Sequence, residues 1–137
     1  MLIDMKIAPG ASTVHDYAGD AVRNMQRVYG IQMDYSVASL EAVDRVLTEW
    51  RDGGAPVEAV TKSLYAFGSY AGEVLLRHVP GRWIDPKQEA YGDLDSLFLF
   101  VKLADGEEWR PITLAFRALL EGPQHSFSSS ANQVLSK

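Results

Sequence analysis

Apolar and small residues recur at three- and four-residue steps through Val14, Tyr17, Ala18, Ala21, Val22, Met25, Val28 and Tyr29, the spacing that lines one face of a helix. The pattern predicts a first helix over residues 12–29. Ser12 or Thr13 would start it, with Asp16 three residues beyond Thr13 in capping-box position, and Gly30 would stop it. The opposite face, Asp20, Arg23, Asn24 and Arg27, reads as solvated. A second stripe, Leu40, Val43, Val46, Leu47 and Trp50, predicts a helix capped by Ser36 and ended by Asp52-Gly53-Gly54. Glu41 and Arg45 lie four apart on it, in ion-pair position. The third stripe, Val57, Val60, Leu64, Phe67, Ala71, Val74 and Leu75, is the strongest in the chain. Gly68 and Gly72 fall inside it, and each glycine in a helix interior costs about 1 kcal/mol relative to alanine. The pair therefore implies close approach of another helix or a sheet, or else a break in the helix that presents backbone amides to a ligand.

After Pro80-Gly81 the period changes. Arg82-Trp83-Ile84 predicts a short strand and Ser96 to Leu103 a central one, covered on both sides at its start and open to water near Lys102. Ala104-Asp105-Gly106 carries the Asp-Gly pair of tight hairpins, so Glu108-Trp109-Arg110 is the expected return strand. Pro111 opens a last helix through Ile112, Leu114, Ala115, Leu119 and Leu120, and Gly122-Pro123 ends it. The expected fold is one α+β domain over residues 1–137: three N-terminal helices packed on a small antiparallel sheet, then a C-terminal helix. Residues 1–10 and the serine-rich 124–137 are expected to be flexible ends, with Val134 and Leu135 able to dock.

The composition narrows the function classes. A length of 137 residues suits one domain with a real core. The absence of cysteine removes disulfides, thiolate zinc sites and cysteine nucleophiles together. A net charge of −5 argues against broad binding to nucleic acid, and no apolar run reaches the roughly 18 residues of a membrane span. Met1 to Gly10 lacks the basic start and sustained hydrophobic run of a signal peptide, which leaves a cytoplasmic location as the expectation.

Two constellations invite a chemical reading. Phe67-Gly68-Ser69-Tyr70-Ala71 followed by Gly92-Asp93-Leu94-Asp95-Ser96-Leu97 looks like the Gly-Ser plus Asp-x-Asp signature of nucleotidyltransferases. In that family the Gly-Ser turn holds a phosphate and the paired aspartates hold magnesium. Asp93 and Asp95 would point the same way on an extended strand. The interval from Ser69 to Asp93 is longer than the family's, however, and the Gly-Ser pair sits in a helical rather than a post-strand pattern. The second constellation is Glu73, Arg77 and His78 near the end of the third helix. Four-residue spacing makes Glu73 and Arg77 a surface ion pair in the plain reading, whereas the chemical reading gives acid and base work to Glu73 and His78 with Arg77 nearby. His15, His78 and His125 have no metal-ligand spacing, no serine sits in an esterase elbow, and no catalytic set, metal or cofactor is expected.

Asp34-Tyr35-Ser36, Ser39-Leu40, Asp44, Gly68-Ser69-Tyr70-Ala71-Gly72-Glu73-Val74 and Gly81-Arg82-Trp83 together resemble a family of small bacterial proteins of the domain-of-unknown-function type. The resemblance covers about residues 30–122 and implies a helical-plus-sheet domain. Physically, Gly68 and Gly72 would permit close packing, Glu73 would tie that face to a backbone or to Arg82, and Trp83 would cover the helix from the sheet. Their clustering predicts a groove floored by Tyr70 and Trp83, edged by Glu73, Arg77 and Arg82, for a ligand or protein partner. The expected role is a non-enzymatic binding or accessory module, with the first helix as a candidate homodimer contact. The alternative is magnesium-dependent nucleotidyl transfer through Gly68, Ser69, Asp93 and Asp95.

Overall fold

A computed structural model describes residues 10–86 and 98–136. Among them the chain forms five α-helices and a three-stranded antiparallel sheet, the α+β architecture expected from the pattern. Helix α1 spans Val14–Asn24 and continues into a π-helical turn at Met25–Tyr29. Gly30, at φ 67°, supplies the left-handed stop that a side chain would resist. The Thr13 capping box does not form: Thr13 makes no side-chain cap, and its hydroxyl instead donates to the Gly10 carbonyl at 3.3 Å. Ser36 does cap the next segment, accepting from the Ser39 amide at 3.1 Å. A 3-10 turn at Val37–Ser39 follows and leads into α2, Leu40–Asp52.

Helix α3, Val57–Leu76, is the centre of the molecule and is buried round most of its circumference, as a helix apolar on all faces must be. It packs against both α1 and α4, Pro111–Leu120. The apolar face of α1 is engaged in this packing: Val14, Tyr17, Ala18 and Ala21 are buried. The two interior glycines are where neighbours approach. A Cβ on Gly68 would lie 2.7 Å from Ile112 Cγ1 and 2.8 Å from its backbone nitrogen, and one on Gly72 would overlap the Trp83 ring. Close packing, not a helix break, therefore accounts for both.

Strands β1, Gly81–Ile84, β2, Phe100–Leu103, and β3, Glu108–Trp109, pair in that order, with Trp83 opposite Val101 and Val101 opposite Trp109. The hairpin turns at Asp105-Gly106, where the Asp105 carboxylate accepts from the Glu107 amide at 2.9 Å. Among the described residues the central strand is shorter than the run of apolar residues suggested. Phe98 and Leu99 precede it and are buried, and Phe98 stacks on Phe116 of α4 at 4.7 Å. The strand itself alternates, with Val101 and Leu103 buried and Lys102 open to water as the pattern implies.

The serine-rich segment also differs from expectation, since a fifth helix, α5, spans Phe127–Leu135. Two features fix it. Phe127 is fully buried, and Asp44 of α2 accepts from the Ser126 hydroxyl at 2.9 Å and the amides of Phe127 and Ser128 at 2.7 and 3.0 Å. These are first-turn donors that a helix leaves without intrahelical partners, and a carboxylate from another helix satisfies them together. Ser130 adds a contact, accepting from Trp109 Nε1 at 2.6 Å.

Candidate functional site

Among the described residues, the five expected to line a groove stand in environments that range from buried to exposed. Tyr70 is fully buried; its hydroxyl accepts from the Tyr35 amide at 2.8 Å and shares a hydrogen bond with the Ser39 hydroxyl at 2.6 Å. Burial pushes its phenol up, against the hydrogen bonds from Ser39 and Tyr35. Tyr35 is held at φ 62°, a left-handed conformation that costs a bulky residue about 1–2 kcal/mol. Its ring lies 4.8 Å from that of Tyr70 and carries the Arg77 guanidinium 3.8 Å above its centroid. Next to it the Ser36 hydroxyl, and then the Ser36 amide, hold the Asp34 carboxyl below the usual carboxylate range. Tyr70, Arg77, Asp34 and Ser39 thus meet around Tyr35 as a structural clasp for the segment that leads into α2.

Arg77 lies on Tyr35 rather than on the Glu73 carboxylate, and the Glu73 side chain makes no hydrogen bond or ion pair among the described residues. Trp83 lies over Gly72 as expected. Arg82 is exposed on β1, opposite Lys102. The nucleotidyl-transfer alternative loses its phosphate site. Ser69 is fully buried in α3 and donates to the Tyr65 carbonyl at 2.9 Å, while Gly68 faces Ile112. No phosphate can reach this pair. Asp93 and Asp95 lie outside the described residues. Among the described residues no three His, Asp or Glu side chains gather as metal ligands, and no helix is long and apolar enough to cross a membrane.

An apolar cleft of about 190 Å³ opens elsewhere, between the π-helical turn, α2 and α3. Met25, Val28, Tyr29, Trp50, Ala66 and Phe67 form its walls, with Asn24, Arg27 and Ser63 at polar positions. Trp50 donates from Nε1 to the Tyr29 hydroxyl at 3.2 Å and lies 5.6 Å from the Phe67 ring. The amide of Gly30 reaches back to the Met25 carbonyl as well as to that of Gln26, a step of five residues where the α-helical step is four. That wider turn changes the facing of the last residues. Val28 is 62% exposed and Tyr29 38%, although both continue the apolar stripe of α1. Two broader clefts adjoin this one. The first, of about 560 Å³, shares Arg27 and is lined also by Arg23, Met33 and Asp34; the second, of about 490 Å³, shares Tyr29 and is lined also by Asp44, Arg45 and Glu49.

The sequence places four of the cleft's wall residues, Val28, Tyr29, Trp50 and Phe67, on buried stripes. The detectable signal is an apolar helical stripe that ends on Val-Tyr beside a terminating glycine, and it does not distinguish a π turn from an α turn. In comparison with known proteins, a family model described as a family of unknown function, DUF6278, matches residues 17–112. No curated protein and no solved structure matches the chain.

Proposed function

The chain belongs to the family DUF6278, a family of unknown function, and from that premise we propose that it is a non-enzymatic binding module that anchors a protein partner by one large apolar side chain at the π-turn cleft. One observation carries the reading: two exposed apolar residues, Val28 and Tyr29, stand at the lip of a small aromatic-walled cavity. Small-molecule sites usually enclose about 300–1,000 Å³, so a cavity of about 190 Å³ suits a single side chain better than a metabolite. Tyrosine, tryptophan, methionine and arginine, all present here, are the residue types enriched where proteins meet. The neighbouring clefts give a bound segment room to run to either side of its anchor.

The test is selection of displayed random peptides on the full-length protein, followed by nuclear magnetic resonance mapping. Enriched peptides are expected to share one large apolar residue and to shift the signals of residues 25–29, Trp50 and Phe67. Val28→Asp should weaken them by about tenfold, the loss of one well-packed contact of about 1.4 kcal/mol. Absence of enrichment, or peptides that map to another face, would remove the proposal.

A further inference from the structure

We propose that the segment bound at this cleft carries a carboxylate beside its apolar anchor, and that Arg27 receives it; this rests on the binding-module reading above. Arg27 lines both the anchor cleft and the broader cleft next to it, so its guanidinium stands where a bound segment leaves the cavity. The side chain is exposed. Its one hydrogen bond among the described residues goes to the neutral Asn24 Oδ1, at 2.7 Å. A guanidinium has five donors in a fixed fork, and this bond orients the fork while leaving the other donors open. The geometry matches a carboxylate, which accepts two parallel N–H groups.

Two of the neighbouring charged groups have partners of their own. Arg23, on the same broad cleft, is paired with Asp20. The Asp34 carboxylate accepts from the Ser36 amide at 3.1 Å and hydroxyl at 2.6 Å. On the far side of Tyr29, Arg45 shares its cleft with Asp44 and Glu49, so that side favours no anion. Arg27 thus offers open guanidinium donors at the mouth of the cleft, in a chain whose net charge of −5 otherwise repels acidic partners. An acidic residue next to the anchor would then set the direction in which the segment lies.

N-acetyl-tryptophan and N-acetyl-tryptophanamide test this directly, since they share the anchor and differ in the carboxylate. Each is titrated into the full-length protein and followed by amide shifts. The acid is expected to bind about two- to fivefold tighter than the amide, the range of an exposed charge pair. Arg27→Gln should erase the difference between the two probes, so that acid and amide bind alike. Equal binding of the two probes at the cleft overturns the role of Arg27 and keeps the anchor reading. No shift of the cleft residues with either probe overturns both.

Discussion

Gly68 and Gly72 show how much a single missing methyl group can decide. Helix propensity alone makes Gly→Ala favourable by about 1 kcal/mol, so the sign of the measured effect reports packing. At Gly68 an added Cβ meets Ile112 at both its backbone and its side chain, and at Gly72 it meets only the Trp83 ring. Backbone yields less readily than a side chain. Gly68→Ala is expected to destabilise by about 3 kcal/mol and Gly72→Ala by about 1–2, net of the propensity gain. Urea unfolding of the two variants measures this, and stabilisation by both would contradict the packing account. The glycine spacing made close approach legible in the sequence, and with it the contact to Trp83. Ile112 was not legible as the other partner, because nothing local links residue 68 to the start of a helix some forty positions on.

Among the elements, the helices up to α4 follow from their apolar period and stop signals, since α1, α2 and α4 each bury an apolar face and α3 is buried round most of its circumference. Helix α5 does not, and the reason is physical. Its own sequence offers few apolar residues to bury, and its first turn depends on Asp44, 83 positions from Phe127. No local pattern reveals a cap supplied from another helix. Asp44→Ala removes the acceptor of three donors at once and should cost about 1–2 kcal/mol, as for a lost N-cap. Hydrogen exchange locates the loss: the amides of Phe127 to Ala131 should exchange faster, with those of α3 unchanged. Uniform acceleration throughout the chain would mean that Asp44 acts on the whole core instead.

For the molecule as a whole, buried phenols set the alkaline limit of stability. Burial pushes the phenol of Tyr65 well above its ordinary value, and that of Tyr70 upward too. Both stay protonated in the folded chain at a pH where the unfolded chain ionises. The unfolded state then binds fewer protons, so stability falls as pH rises beyond about 10, the ordinary tyrosine value, and is untouched by these groups below it. Melting followed by circular dichroism, alongside phenolate absorbance, reads this directly; a melting temperature that stays flat through the tyrosine range would contradict it. The α+β architecture was readable from period and turns, whereas the candidate cleft was not, because the same apolar residues serve an α turn and a π turn equally. The difference between those turns is one residue of chain length. A relative one position shorter between Met25 and Gly30 would close that turn as an α-helix and have no cleft, however well its apolar pattern agreed. Kinship and possession of the cleft are thus separable here, and an alignment gap is the mark by which to tell them apart.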